Sequence, residues 1–492
     1  MKILCLQLAR FGDIYQTWPV LRALRRNYPE AEIHLLVRSR FIEATVGLDE
    51  VSRVIALPTN KWLAGDIDEA LAGIEQWLIE NDMAGFDRVI NLSFSPLSSY
   101  LVDLVGGADV VGYTRQSDGF LSIPDEPSAY FYAQVGVDRA NRIHLSDLFA
   151  MIAGVELTDD DFRAPALARV YENMRSGIVV QVGASQSQKT LSAESWMEII
   201  KKLTELTGES VTIVGSAGEF NADAIQNPRV LDRVGQTKIS ELFQIIADAR
   251  LFIGCDSVGL HIAALTQTPT LNISFAAVRF WETGPRAPGS RILWFDSREA
   301  CDVSRVTDEA LRMCDGEPPG APVILKAERS GVIYDLIGYE ENDFSWELVR
   351  ALYSHENCAA AIADLCRNCL HERASAAGNS VNLITLGFTR MSELATLALE
   401  QIKIIESAPN QAAVHILDQV DALIEQVGRL AIEISPLVRW FQTEKSRIPP
   451  GGLNEILKST KALFDQLNEL CQTALLNMRL SDGVAGHDFS GV

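Results

Sequence analysis

The sequence predicts an α/β protein: two doubly wound parallel-sheet domains in tandem, followed by a mainly helical C-terminal region. Three observations carry this reading. Short apolar runs alternate with helical periodicity from residue 1 to about 312, the pattern of parallel strands joined by crossover helices. The alternation fades through "GYTRQSDGFLSIPDEPSAYFYAQ", which marks a crossover between two α/β units near residues 112–165. Beyond "CDGEPPGAP", residues 314–322, helix-period repeats run almost to the end. The expected domains are 1–165, 166–314 and 323–492, because 492 residues exceed one ordinary core.

The elements follow in order. An apolar run makes Lys2–Leu8 a strand, and "LARFGDIYQTWPVLRALRRNYP", residues 8–29, leads from it into a helix whose apolar spacing of three and four starts at Val20. Gly12 and Asp13 stand between the two. Asp13 and Gln16 have the spacing of a capping box. A cap and a general base are compatible roles for one carboxylate at the end of a buried strand. Further strands are expected at Glu32–Val37, Arg88–Leu92, Gly177–Val182, Ser210–Val214, Leu251–Gly254 and Thr270–Ser274. "VILKAERSGVIYDLIGY" reads as a hairpin opening the last region. There Val420, Ile424, Val427 and Ile434 repeat at helical spacing, as do Phe464, Leu467, Cys471, Ala474 and Met478, with "SRIPPGG" as the turn of an antiparallel helical hairpin. The texture break makes this tail a separable module, and its apolar faces suit a homo-oligomer.

Composition limits the function. The formal net charge of −22 and pI near 4.8 argue against nucleic acid as a partner, since phosphate binding needs clustered Lys and Arg. Residues 1–40 depart from the average, with Lys2, Arg10, Arg22, Arg25, Arg26, Arg38 and Arg40 against Asp13, Glu30 and Glu32. That is either an anion-receiving patch or a solvated helix face. No stretch has the roughly 18 uninterrupted apolar residues of a membrane span, and the N-terminus reads as a strand. The expectation is a cytoplasmic protein, at most peripheral to the inner membrane. Eight cysteines in so long a chain read as reduced thiols.

The common nucleotide and hydrolase motifs G-x-G-x-x-G, G-x-x-x-x-G-K-[ST] and G-x-S-x-G are missing from their expected places. Asp66 and Asp68 have D-x-D spacing, but read better as first-turn carboxylates of a helix. Three loops in the second unit say more. In "GIVVQVGASQSQKTLSAESW" a buried strand enters a small polar loop with Ser185 and Lys189, where ligands bind in open α/β sheets. In "VTIVGSAGEF" small residues admit a ligand to the backbone, and Glu219 can accept hydrogen bonds from ribose hydroxyls. In "LFIGCDSVGLHIAAL" Asp256 and Ser257 open a helix that carries His261, and its exposed N–H groups suit a pyrophosphate. Each loop alone is also ordinary capping or core sequence. Together they fall at strand ends of one sheet.

"KILCLQLARFGDIYQTWPVLRALRRNYPEAEIHLLV", "VVQVGASQSQKTLSAESWMEIIKKL", "IVGSAGE", "IGCDSVGLHIAAL" and "TGPRAPG" together resemble the heptosyltransferase family of glycosyltransferases, over residues 1 to about 312. The resemblance implies a GT-B fold, two Rossmann-like domains facing a cleft, and ADP-heptose or another nucleotide sugar as donor. It implies inverting, metal-independent transfer with no cofactor. Asp13 takes the place of the general base, Lys189 of the lysine that neutralises the donor phosphates and Glu219 of the acid near the ribose. Ser185 joins the donor loop. Asp256, Ser257 and His261 match a D-[ST]-G-x-x-H segment that holds sugar and diphosphate. Val258 stands where glycine is usual there, with Gly259 following, which leaves the donor less firmly implied than the fold. The acceptor implied is an anionic glycolipid, the lipopolysaccharide core, with Arg22, Arg25 and Arg26 to receive it, or a protein. The alternative is a GT-B scaffold that binds a nucleotide sugar or a partner without turnover.

"HENCAAAIADLCRNCLH", residues 355–371, adds His355, Cys358, Cys366, Cys369 and His371. Cys358, Cys366, Cys369 and His371 have metal-ligand spacing, but a helix with small buried thiols fits the same residues.

Overall fold

The computed structural model describes residues 1–62, 67–115, 119–136, 138–169, 174–222, 225–320, 324–326, 335–337, 344–354, 357–373, 378–408 and 410–485. They form two compact units: residues 1–114 with 142–340, and residues 115–141 with 341–492.

The first unit holds two parallel sheets. Strands β1 (Lys2–Leu6), β2 (Glu32–Arg38), β3 (Arg53–Leu57), β4 (Arg88–Asn91) and β5 (Asp109–Gly112) lie in the order β3-β2-β1-β4-β5, all parallel. Ile3, Leu4, Cys5 and Leu6 are wholly buried, because a central parallel strand is covered on both faces and reads as a continuous apolar run. Strands β6 (Ile178–Gln181), β7 (Val211–Val214), β8 (Val230–Asp232), β9 (Leu251–Gly254), β10 (Thr270–Phe275) and β11 (Arg291–Phe295) form the second sheet in the order β8-β7-β6-β9-β10-β11. The hairpin read from "VILKAERSGVIYDLIGY" supplies antiparallel β12 (Ile324–Lys326) and β13 (Asp335–Ile337) at its edge. It therefore extends the second sheet and does not open the helical region. The strands that sequence patterning left out, β3, β5, β8 and β11, are short or charged at an end (Arg53, Asp109, Asp232, Arg291), a composition typical of sheet edges.

Both sheets reverse strand order beside their first strand, at β1 and β6. In open α/β sheets that reversal opens a crevice at the carboxyl ends of the strands. The loop after β1 leads into the helix Phe11–Asn27, and that after β6 contains Lys189. The helix begins at Phe11, nine residues before the spacing that starts at Val20, and keeps Pro19 inside it. Proline removes one interior hydrogen bond. Burial of Ile14, Tyr15 and Trp18 offsets this: Trp18 stacks on Phe243 at 5.7 Å and Tyr15 meets the same ring edge-on.

The second unit is helical. Helices Cys358–Arg373 and Gly378–Ser407 both pack on Leu453–Ala485, and Gln411–Leu430 packs on Gly378–Ser407. Phe344, Phe388, Met391, Phe441, Phe464, Leu467 and Cys471 share its core. Both predicted apolar repeats pack into that core, Val427 only partly buried, but they do not form one hairpin. "SRIPPGG" joins the helix Ser435–Ser446 to Leu453–Ala485, and Gly378–Ser407 packs against both helices that carry the repeats. The repeats thus match a shared third helix, which periodicity cannot reveal. This unit is also discontinuous. The helix Glu126–Gln134, from the stretch read as a plain crossover, packs on Ser435–Ser446. Gln134 donates to the Pro436 carbonyl at 3.1 Å, Tyr130 meets Tyr353 at 4.8 Å and Arg447 donates to the Ile123 carbonyl at 3.2 Å. Among the described residues, no helix is long and apolar enough to cross a membrane.

Candidate active site

The helix that follows β1 starts with Arg10 as its N-cap. Asp13 is its third residue, not the cap. The carboxylate turns back to accept the Arg10 backbone N–H at 2.9 Å, the second half of a capping box. Gln16 takes no part in it. Burial pushes the Asp13 carboxyl above the usual carboxylate range, while the Arg10 N–H and guanidinium pull the other way and Asp256 adds to the rise. The group is a half-buried carboxylate held by the main chain at the helix start, with its pKa raised, a state suited to accepting a proton.

Gly12 sets how closely the second half of the unit approaches. A Cβ there would lie 2.7 Å from Nε2 of His261. His261 is buried, and burial lowers its pKa to about 4, so the ring is neutral near pH 7. The Gln16 amide nitrogen lies 3.4 Å from it. Gly12→Ala should lower the melting temperature modestly, since pushing aside the buried His261 ring costs about 1–3 kcal/mol, more than the helix preference of Ala over Gly returns in a first turn. The displaced His261 should cut turnover by up to roughly a hundredfold. Thermal melts and a transfer assay on the variant check the pair of outcomes, and a normal rate would remove the contact from the mechanism.

The second half brings three loops to the same place. Lys189 ends a single 3-10 turn after β6 and pairs with Asp256 at 2.7 Å, both largely buried. Glu219 accepts the Ser216 N–H at 2.7 Å. It lies over Gly183, where a Cβ would come within 1.7 Å of its Oε2. Ser257 caps the helix Val258–Thr266, and its buried hydroxyl has no partner among the described residues. One cavity of about 700 Å³ is lined by Asp13, Gln16, Ser185, Lys189, Glu219, Asp256, Ser257, Val258 and His261 together. Gly259 does not line it. Its N–H is donated to Oε1 of Gln181 at 3.0 Å, and a Cβ would strike that oxygen and the Phe252 ring. The glycine serves the packing of helix on strand, which corrects its reading as a donor contact.

The arginines expected to receive an acceptor are occupied elsewhere. Arg22 is 2% exposed and its guanidinium reaches Glu50 at 3.1 Å and the carbonyls of Asp161 and Arg163. Arg25 donates to the carbonyls of Glu50, Pro29 and Ala31. Arg26 pairs with Asp161 at 2.8 Å and donates to the Glu156 carbonyl. They clamp the far end of the helix, some nine or more residues from Asp13. Asp66 lies outside the described residues, and the helix Ile67–Glu80 begins directly after it. Cys366 is buried and Cys358 half-buried in the helical core, the Cys358 thiol pushed up to about 11 by burial. His355 and the side chains of Cys369 and His371 lie outside the described residues. Among the described residues no group of three or more His, Cys, Asp or Glu could hold a metal ion.

Sequence reasoning passed over three contributors. Gln181 was signalled by a polar residue ending the buried run "IVVQ". Arg10 and Arg40 line the cavity but entered only as part of a charge count. "TGPRAPG" has a structural meaning: Arg286 forms a buried ion pair with Asp147, and the Gly284 carbonyl meets Nε2 of the buried His144 at 3.2 Å.

Two Rossmann-type halves, with the strand ends of both meeting at one cavity, define the GT-B fold. The fold is that of Escherichia coli heptosyltransferase WaaC with ADP (TM-score 0.51, 15% identity, 64% of this chain and 100% of that one). It is equally that of the glycosyl transferase family 9 protein from Veillonella parvula DSM 2008 (TM-score 0.51, 15% identity, 64% and 97%). The glycosyltransferase family 9 (heptosyltransferase) profile matches residues 82–311, a span that contains Lys189, Glu219, Asp256 and His261. "Lipopolysaccharide heptosyltransferase 3" of Escherichia coli is 23% identical over 290 residues, 55% of this chain and 82% of that protein. Residues 82–311 of this chain carry the signature of glycosyltransferase family 9, the heptosyltransferases.

Proposed function

We propose that the protein transfers a heptose or related sugar, with inversion and without a metal, from ADP-heptose or a similar nucleotide sugar to an acceptor hydroxyl. The observation that carries this is the convergence of Asp13, Lys189, Glu219, Asp256 and Ser257 on one cavity. Asp13 takes the proton of the attacking hydroxyl as the new bond forms at the anomeric carbon and the bond to the diphosphate breaks. Lys189 and the N–H groups at the start of the Ser257-capped helix offset the charge that develops on the leaving diphosphate. Glu219 accepts hydrogen bonds from the ribose, Ser185 donates to a phosphate, and Asp256 with neutral His261 holds sugar hydroxyls. Val258 puts a side chain where glycine is usual and narrows the choice of donor. The likeness to the Escherichia coli lipopolysaccharide heptosyltransferase 3 supports lipopolysaccharide as acceptor; a protein is the alternative acceptor.

The Lys189–Asp256 pair makes a direct test. Donor diphosphate competes with Asp256 for the ammonium, so Lys189→Ala should weaken ADP binding by about tenfold or more, with a smaller loss of thermal stability. Calorimetric titration with ADP checks it, and equal affinity in the folded variant removes Lys189 from the site. Transfer from ADP-heptose to extracted lipopolysaccharide core should persist in a chelator. A protein that binds ADP and neither transfers nor hydrolyses the donor would be a nucleotide-sugar-binding scaffold instead.

A further inference from the structure

One amide on the cavity wall is satisfied at its oxygen and unsatisfied at its nitrogen. Gln181 ends β6, after Ile178, Val179 and Val180, apolar side chains at most 3% exposed. The strand lies between β7 and β9, so a polar group at its end is flanked by sheet on both sides. Two glycines make room for it. A Cβ on Gly254 would lie 3.5 Å from the Gln181 Cβ and 3.1 Å from the Phe252 ring, and one on Gly259 would lie 2.1 Å from Oε1 of Gln181.

The way the amide faces follows from its partner. The Gly259 N–H can only donate, so the atom that meets it at 3.0 Å is the oxygen, and the NH2 group is the end left over. That nitrogen has no partner among the described residues and is not sealed from solvent. Gln181 is 7% exposed and lines the cavity together with Lys189, Asp256 and Ser257. Gly259 is the second residue of the helix Val258–Thr266, and its N–H is one of the donors that a helix leaves unpaired at its start. Hydrogen bonds in a chain polarise one another in a low-dielectric site. The positive end of the helix is therefore passed to the cavity through a side chain. A donor-only group so polarised favours an anionic oxygen over a hydroxyl.

We infer that Gln181 binds the diphosphate of the donor, its NH2 group donating to a phosphate oxygen while its carbonyl holds the helix start through Gly259. This rests on the transferase reading above and deepens it: the Gly259 N–H is taken by Gln181, which reaches the ligand in its place. The bond strengthens as charge develops on the leaving diphosphate, so it favours the transition state as well as the bound donor.

The test is calorimetric titration of the full chain with ADP, adenosine and inorganic pyrophosphate, in wild type, Gln181→Glu and Gln181→Met. Glu keeps an oxygen for the Gly259 N–H and removes the NH2 group. Met, unbranched and of similar length, removes both without adding charge. Each variant should weaken ADP and pyrophosphate binding by about tenfold or more, the loss for a hydrogen bond to a charged group, and leave adenosine affinity unchanged. Gln181→Glu should melt near wild type, because its bond to Gly259 survives. A loss confined to Gln181→Met overturns the contact and leaves Gln181 a tether for the helix; a loss confined to Gln181→Glu overturns it as repulsion by the added charge. An equal loss for adenosine also overturns it, as distortion of the whole site. Should Gln181→Met fail to fold, a crystal structure of wild type with ADP decides: Nε2 within about 3.2 Å of a phosphate oxygen supports the contact, and a longer distance overturns it. If wild type binds pyrophosphate and not ADP, the donor reading falls, and the pyrophosphate titrations still decide the role of Gln181. If it binds neither, both fall.

Discussion

Asp13→Asn should leave the protein folded and ADP-competent while its transfer rate falls by roughly a hundred- to ten-thousandfold, the range for loss of a positioned general base. Asn keeps the shape of the side chain, and its carbonyl oxygen can still accept the Arg10 N–H that Asp13 holds at 2.9 Å. It cannot take a proton. Stability should not suffer. A carboxyl whose folded pKa is raised adds stability below its unfolded pKa of about 3.9, and that contribution is lost as pH rises through the folded value. At neutral pH wild type carries the cost of ionising a carboxyl whose pKa is raised by partial burial, and Asn relieves it. The variant should therefore melt at or above the wild-type temperature. The same rise in pKa moves the acidic limb of the wild-type rate profile above the ordinary carboxylate range, since activity disappears as Asp13 protonates. Thermal melts, ADP titration and rates between pH 4 and 8, about the span a carboxyl base covers, decide the question. An Asn variant with near-normal turnover would leave Asp13 a helix-start residue and nothing more.

What could be read from the sequence, and what could not, follows from the range of the forces involved. β1, β6 and β9 were legible because a strand covered on both faces needs an unbroken apolar run, and the run itself names it. Asp13, Lys189, Glu219 and Asp256 were legible because each lies in the loop or first helical turn after a buried strand. Their roles remain proposals, but their meeting in one cavity is now a geometric fact. Arg22, Arg25 and Arg26 misled because sequence gives a charge without its partner: Glu50, Asp161 and the carbonyls of 156 and 163 lie up to about 140 residues away. Gly259 was misread for the complementary reason. Its lack of a side chain serves Gln181 and Phe252 behind it, contacts that no local pattern records. The same blindness to long range explains the tail, where two periodic helices implied a pair and a third helix divides them.

The discontinuity of the helical unit sets the other large expected effect. A chain ending at Pro318 should fail to give a stable α/β protein, although the texture break there suggests a clean boundary. The shortened chain keeps residues 119–136 and 138–141 but removes what covers them. Ser128, Ala129, Tyr130, Ala133 and Gln134 are each at most 6% exposed. Without residues 341–492 the Tyr130 ring loses Tyr353, the Gln134 amide loses the Pro436 carbonyl, and the Ile123 and Asp138 carbonyls lose Arg447 and Arg439. Uncovering an aromatic side chain and its apolar neighbours and leaving those polar groups unpaired costs on the order of 5 kcal/mol. Domains of this size have only about 5–15 kcal/mol in all. The cut also removes β12 and β13 from the flank of β11, leaving that strand as an open edge prone to pairing with another chain. The shortened chain should therefore aggregate, or melt well below wild type by scanning fluorimetry. Adding Tyr130→Ser and Ala133→Glu, which make the uncovered helix face polar, should recover part of the soluble yield. A chain ending at Pro318 that melts like wild type and binds ADP with wild-type affinity would show that the helix Glu126–Gln134 needs no partner from the tail.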